Sequence, residues 1–392
     1  MRIIFVFLFS FIFYQAQSQV KVLFDATKAE MAGNADWVID ADLHNLYGNE
    51  SNPQRIPTTA QSGINANTPE SYWTGALSAW AVDAVKEGYV VETLPVNGAI
   101  TYGNNSNSQD LSNYTVFVVC EPNILFTAGE KTALINYVQD GGGLFIISDH
   151  DNSDRNNDGY DSVDIWNDLL TNNSVTYNPF GFIFDYEFYT EATTNIPNLP
   201  SDPLLHGSYG DVTSVEFFGG TSMTLFPIHN PSVQGVVYRP GFNHSGNKGV
   251  MCAYATYGMG KVVALGDSSP PDDGSGDNND NLYNGWTEDA NGNHERLIMN
   301  ATRWLAASGP LAVNVPEEVE SVDLYPNPVT GFLHIDSHFL VLNKLMIYNS
   351  IGQLVYTQND AAPIDMSSFN KGLYFLEIQM GSTTLSRLVE VY

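Results

Sequence analysis

The stretch GGGLFIISDHD at residues 141–151 decides which fold we expect for this chain. Its three glycines end a predicted helix, and the four apolar residues 144–147 that follow are typical of a buried strand. The strand ends in Asp149, His150 and Asp151. Because ligands bind outside the carboxyl ends of strands in an open parallel sheet, we expect the chemistry of this protein at these three residues.

Predicted strands and helices alternate on both sides of this stretch. The predicted strands and helices next to it are strands at 20–25, 89–94 and 116–120, and helices at 73–86 and 127–139. This alternation predicts an α/β fold with a doubly wound, mostly parallel sheet. Between Val212 and Ala264, short apolar runs separated by Gly, Pro and Asn predict an antiparallel extension of that sheet.

The composition is that of an acidic, folded protein. The 392 residues favour two or three domains, and an apolar content of 43% excludes general disorder. Fifteen Lys and Arg against 44 Asp and Glu give a net charge of −29. So acidic a surface repels nucleic acid and anionic lipid, and it suits high salt, bound cations or neutral substrates.

The chain divides into four predicted segments. Residues 1–18 have a charged start, an apolar run and the small residues Ala16 and Ser18, which is typical of a secretory signal peptide. The run is too short for a stable membrane span. Residues 19–308 form the α/β domain, 309–320 a linker rich in proline and acid, and 321–392 a small all-β sandwich.

The only two cysteines, Cys120 and Cys252, each lie in an apolar run and are expected to be small core residues. Two cysteines are no disulfide framework for a chain of this size, although the sequence leaves one bond between them open.

The C-terminal segment carries four short motifs. They are YPNPV at 325–329, IYNSIGQLV at 347–355, IDM at 364–366 and KGLYF at 371–375. The set resembles the type A sorting domain of the type IX secretion system of Bacteroidota. The resemblance implies export across both membranes, a location outside the cell or on its surface, and the type IX secretion machinery as a partner.

The N-terminal domain carries a second resemblance in the segments 114–122, 126–130, 141–150, 202–207 and 260–268. In these segments it resembles the class I glutamine-amidotransferase-like superfamily, which has a flavodoxin-like fold, and within it secreted members of unknown function. In true amidotransferases a nucleophilic cysteine follows the strand that matches 143–148. Asp149, His150 and Asp151 stand there instead, so we do not expect a glutamine amidotransferase.

Several predicted core strands end in a carboxylate. We expect Asp25, Glu121, Asp149, His150 and Asp267 to meet at one edge of the sheet. Carboxylates with a histidine can act as general acid and base or bind a divalent metal, and crowding of like charges raises one pKa. The alternative is that each carboxylate caps the next helix. The candidate catalytic residues are Asp149, His150, Asp267 and Glu121.

The sequence DRNNDGY at 154–160 matches the start of a calcium loop of the EF-hand type. The glutamate expected at the twelfth position is replaced by Ile165, and the alternative is a turn rich in Asp and Asn. We expect Ca²⁺ or another divalent metal as cofactor. The candidate metal ligands are Asp25, Asp151, Asp154, Asn156, Asp158 and Asp272.

Aromatic residues in predicted loops suit the flat faces of sugar rings, although some are equally well explained as core. The candidate substrate contacts are Trp37, Tyr160, Trp286 and His294. Together these features predict a secreted hydrolase of an extracellular polymer, a polysaccharide. One alternative is a non-catalytic, calcium-stabilised glycan-binding or surface protein, and another is a metal-dependent esterase or phosphoesterase.

Overall fold

A computed structural model defines two compact units, residues 1–312 and 313–392. It describes residues 19–39, 53–57, 59–276, 280, 282–287, 291–307, 323–336, 342–349, 353–380 and 383–392. The predicted signal peptide at 1–18 and the predicted linker at 309–320 lie outside the described residues.

The first unit is built on a mixed sheet of nine strands. In chain order its strands and helices are β1 (Lys21–Asp25), α1 (Ser78–Lys86), β2 (Val90–Leu94), β3 (Val116–Cys120), α2 (Ala128–Gln139), β4 (Gly143–Ile147), α3 (Ser162–Thr171), β5 (Phe182–Phe184), β6 (Tyr189–Thr193), β7 (His206–Gly207), β8 (Gly210–Asp211), β9 (Val215–Gly220), β10 (Met223–Leu225), β11 (Gln234–Tyr238), β12 (Val250–Tyr257), β13 (Gly260–Leu265) and α4 (His294–Ala306).

The order of the strands in the sheet is β2-β1-β3-β4-β13-β12-β10-β5, with β11 paired to β12. The first five of these are parallel to one another. Strands β12, β10, β5 and β11 continue the sheet in antiparallel pairs. Two short pairs, β6 with β9 and β7 with β8, lie outside the sheet. The predicted fold class is confirmed to the extent that the chain has an α/β unit followed by a β region.

Side chains of the central strands alternate between two apolar layers, because successive residues of a strand point to opposite faces. Val118 and Phe145 belong to the layer that includes α1 and α4, whereas Phe117 and Leu144 belong to the layer that includes α2 and α3. Both faces of the parallel strands are therefore covered, which explains why they are continuous apolar runs.

The three glycines where α2 passes into β4 are required by a turn and by close packing. Helix α2 begins with a capping box, in which the Thr127 hydroxyl and the Glu130 carboxylate each accept a backbone N–H. Gly141 ends the turn after α2 with a φ of +116°. A Cβ atom on Gly142 would lie 2.3 Å from the Tyr137 ring, and one on Gly143 would lie 2.9 Å from Leu305. Larger residues at 142 or 143 would push α2 or α4 away from the sheet.

Both cysteines are free and buried, so they are core residues, as predicted, and no disulfide joins them. Among the described residues, no helix has the length and apolar character needed to cross a bilayer.

The second unit contains two small β-sheets around one core. Its strands are β14 (Asp323–Tyr325), β15 (Phe332–Asp336), β16 (Lys344–Asn349), β17 (Leu354–Gln358), β18 (Ile364–Asp365), β19 (Gly372–Met380) and β20 (Thr383–Val391). One sheet has the order β14-β15-β18 and the other β17-β16-β19-β20. Leu333, Ile347, Leu376 and Val389 are among the residues that form the shared apolar core.

Candidate functional site

Three buried carboxyl groups meet where neighbouring parallel strands end. Glu121 follows β3, Asp149 follows β4 and Asp267 follows β13, and these strands are adjacent in the sheet. Their side chains are almost fully buried, and the charges of Glu121 and Asp267 both act on Asp149. Of the predicted catalytic residues, the structure therefore brings these three together. We call them the carboxyl cluster.

Arg155 neutralises part of this cluster. Its Nε donates to Glu121 Oε1, and its Nη2 donates to Asp149 Oδ2 at 3.1 Å. The other oxygen of Glu121 accepts from the Ser268 hydroxyl at 2.7 Å. Both oxygens of Glu121 are thus occupied, which suits a positioning role better than proton transfer to a ligand. Arg155 is not among the site residues predicted from the sequence, where its loop matches a calcium motif or a turn rich in Asp and Asn.

Burial raises the pKa values of two carboxyls of the cluster, Asp149 and Asp267. Burial raises the pKa of Asp149 well above its usual range, and the charges of Glu121 and Asp267 raise it further, against the opposing effect of Arg155. Burial also raises the pKa of Asp267 to about 7, although Ser269 and Phe218 donate backbone hydrogen bonds to it. Near neutral pH these carboxyls can therefore hold a proton.

His150 is the member of the site that reaches solvent, with a quarter of its side chain exposed. Its Nδ1 lies 2.7 Å from the backbone carbonyl of Asp151, which can only accept, so Nδ1 carries the hydrogen. Its Nε2 lies 3.8 Å from Asp149 Oδ2. The imidazole of His150 is therefore partly exposed and lies beside the buried carboxyl of Asp149.

Asp25, at the end of β1, belongs to a second acidic pair that the sequence analysis did not recognise. Asp25 Oδ1 accepts from the Thr27 N–H at 3.1 Å, and Glu30 Oε2 accepts from the Lys28 N–H at 2.7 Å. Asp25 Oδ2 and Glu30 Oε1 are buried and have no hydrogen-bond partner among the described residues. Burial raises the pKa of Asp25 to about 6, and burial and the charge of Asp25 raise that of Glu30 well above its usual range.

The predicted calcium loop forms a compact turn. Asp154 accepts backbone N–H bonds from Asp158 and Gly159, Asn156 accepts one from Asp158, and Asp158 accepts one from Tyr160. No group of three or more His, Cys, Asp or Glu side chains in the described part of the chain is arranged to hold a metal ion. Calcium remains a prediction.

Two other candidate metal ligands lie apart from this turn. Asp151 Oδ2 accepts from the Asn152 amide at 2.8 Å. Asp272 is buried, and its two oxygens accept the backbone N–H groups of Gly274 and Tyr283. In the structure described here, Asp272 therefore orders its own loop.

Three of the four predicted substrate contacts are corrected by the structure. Trp37, Trp286 and His294 are only 2%, 1% and 1% exposed, so they cannot offer a ring face to a ligand in solution. The two tryptophans pack in the core. His294 accepts from the Glu216 N–H at Nε2 and lies 2.8 Å from the Gly285 carbonyl at Nδ1. Large aromatic rings are buried even from loop sequences, because removing their apolar area from water is favourable.

Tyr160, the fourth predicted contact, is 45% exposed. The sequence analysis overlooked a more exposed ring, that of Phe188, which packs against the imidazole of His150.

Comparison with known proteins identifies the second unit. Residues 323–390 match the family described as the secretion system C-terminal sorting domain. A segment of 89 residues is 30% identical to an ulvan lyase of Nonlabens ulvanivorans, which is 22% of this chain and 16% of that protein. The chain thus matches only a small part of this curated relative.

Solved structures match only loosely. The mmIFT52 N-terminal domain is 13% identical with a TM-score of 0.42, and the match covers 73% of this chain and 97% of that one. A β-galactosidase from Bacillus circulans sp. alkalophilus is 13% identical with a TM-score of 0.34, covering 90% of this chain and 42% of that one. The sorting-domain match is the specific finding, and it shows that the protein carries a type IX secretion sorting domain and is secreted or displayed at the cell surface.

Proposed function

We propose that the protein is a secreted hydrolase of an extracellular polysaccharide, with His150 and Asp149 as its catalytic pair. The observation that carries the proposal is the partly exposed imidazole of His150 beside the buried carboxyl of Asp149 at the ends of the central strands. The secretion domain and the partial similarity to an ulvan lyase support a carbohydrate outside the cell as the target.

Hydrolysis of a glycosidic bond needs one group that accepts a proton from water and one that gives a proton to the leaving oxygen. In the proposed step, Nε2 of His150 takes the proton from the attacking water. The water oxygen bonds to the sugar carbon as the bond between that carbon and the glycosidic oxygen breaks, and the glycosidic oxygen takes a proton that the buried Asp149 gives through one water molecule. Arg155 donates a hydrogen bond that orients the Asp149 carboxyl, and the charge of Asp267 raises the pKa of Asp149. Glu121 fixes the position of Arg155.

The test is a screen of the full secreted chain against soluble neutral and acidic polysaccharides, with new reducing ends as the readout. Asp149→Asn and His150→Ala should each lower turnover about 100-fold or more, because each removes one proton-transfer group. Asp140→Asn is a matched control at an exposed carboxyl that only accepts a hydrogen bond from Tyr102.

Full turnover in His150→Ala would refute the assignment of the catalytic pair. Products that absorb ultraviolet light as unsaturated sugars would indicate a lyase instead of a hydrolase. Tight glycan binding without products would favour the non-catalytic alternative.

A further inference from the structure

An exposed aromatic ring stands beside the proposed catalytic histidine. Phe188 is 69% exposed, although leaving a phenyl ring in water is unfavourable. Its ring centroid lies 4.2 Å from that of His150, with an angle of 37° between the planes. Ligand sites are typically lined by aromatic side chains with a few precisely placed polar groups, and Phe188 with His150 has this composition.

The loop that carries Phe188 is held firmly in place. The Glu187 carbonyl accepts from the Asp151 N–H at 2.9 Å, which ties this loop to the one that follows β4. The Ser222 hydroxyl lies 2.8 Å from a carboxylate oxygen of Asp185 and 2.8 Å from one of Glu187 and donates to one of the two, and the Thr224 hydroxyl donates to Asp185 at 2.8 Å. Because side-chain and backbone bonds anchor this loop, fraying does not account for the exposure of Phe188.

A second aromatic pair lies next to the first. A Cβ atom on Gly219, where φ is +117°, would lie 3.1 Å from Phe188 and 3.4 Å from His150. The preceding residue, Phe218, stacks on Tyr283 with centroids 4.6 Å apart, and its N–H bonds Asp267. The backbone at Gly219 thus connects both aromatic pairs with the carboxyl cluster.

The charges around these rings select against an anionic ligand. Glu187 pairs with Arg239, which also pairs with Glu191, so this guanidinium is already satisfied by two carboxylates. Arg155 is likewise held by two carboxylates. With a net charge of −29, a sulfated sugar or a uronate would meet repulsion here.

We infer that Phe188 is the platform of a subsite for an uncharged pyranose ring, which places the neighbouring glycosidic bond at His150. The partly positive C–H groups on one face of such a sugar complement the negative face of an aromatic ring. The inference rests on the proposed function for the role of His150, and it narrows the substrate class to neutral polysaccharides.

The test measures the binding of neutral, uronate and sulfated oligosaccharides to the full chain carrying Asp149→Asn, first on an array and then by titration calorimetry. Adding Phe188→Ala should raise the dissociation constant for the best neutral oligosaccharide about three- to tenfold, the loss expected for one aromatic contact. Phe188→Tyr should stay within about twofold because the ring is kept. Tyr177→Ala is the matched control. Tyr177 is also exposed, at 59%, but it lies in the loop between α3 and β5, where its ring packs on His229.

An unchanged dissociation constant in Phe188→Ala overturns the subsite. Binding of uronate or sulfated sugars that is as tight as, or tighter than, that of neutral sugars also overturns it, and so does the absence of binding by any neutral sugar. These results are separable from the fate of the proposed hydrolase. If oligosaccharide binding depends on Phe188 but the wild-type protein shows no turnover, the subsite is supported and the hydrolase is refuted. If turnover depends on His150 but Phe188→Ala leaves the KM unchanged, the hydrolase is supported and the subsite is refuted.

Discussion

Replacing Asp25 by asparagine should make the first unit more stable at neutral and alkaline pH. The unpartnered oxygens of Asp25 and Glu30 are both buried, and protons on the two carboxyls account for them; when Asp25 loses its proton, Glu30, whose pKa is raised further, still holds one. An asparagine at position 25 keeps the bond from the Thr27 N–H and can donate its amide to Glu30. It does so without needing a proton from solution.

The size of the effect follows from the pKa of Asp25, which burial raises from its ordinary value of 3.8 to about 6. Because the folded state binds the proton more tightly, the stabilisation is complete below about pH 4 and is lost as pH rises through about 6. At 1.36 kcal/mol for each pKa unit, the wild type should lose about 3 kcal/mol of unfolding free energy over that interval. Asp25→Asn should not lose it.

Urea denaturation at pH 4, 6 and 8 measures the difference. All six tryptophans lie in residues 1–312, so their fluorescence reports on the first unit. We expect Asp25→Asn to exceed the wild type by up to about 3 kcal/mol at pH 8 and to approach it at pH 4. Asp140→Asn, at an exposed carboxyl, should follow the wild type. A variant that tracks the wild type at all three pH values, or that is less stable at pH 8, would refute this account of the buried pair.

Two further predictions concern buried groups of the same unit. Arg155→Met should lower the unfolding free energy by about 3–5 kcal/mol at neutral pH, because it leaves Glu121 buried without its cation and removes the hydrogen bond to Asp149. A loss below about 1 kcal/mol in urea denaturation would show that the carboxyl cluster does not depend on Arg155. Neither Cys120 nor Cys252 should react with a thiol reagent in the native protein, because both are buried and burial raises the pKa of each thiol, whereas two thiols should react after unfolding. A thiol titrated in the native state would contradict this.

The candidate site was predictable where it depends on single strands. Glu121, Asp149 and Asp267 each follow an apolar run, and parallel strands place their carboxyl ends at one edge. The sequence predicts which residues stand there, but not their environment. The partly exposed His150 and the buried Asp149 are neighbours in the chain, and only packing gives them different environments.

The rest of the site was not predictable because it consists of contacts between separate segments. Arg155 reaches Glu121 from a loop 34 residues away, and Phe188 meets His150 from the loop after β5. Trp37 and Trp286 sit in polar, glycine- and asparagine-rich stretches, yet both are buried. Burial of a tryptophan from a polar stretch depends on whether an apolar layer formed by distant residues can accommodate its ring, and the local sequence pattern carries no information about that.

The sequence by itself determined the α/β class of the first unit, the acidic ends of its strands and the secretion domain at 323–390, because periodicity, strand ends and motifs are local properties of the chain. Only the tertiary structure decided which carboxyls share a cation, which hold a proton and which aromatic ring faces solvent. Those outcomes depend on burial and on distances between groups far apart in the chain, and both are set only when the layers pack.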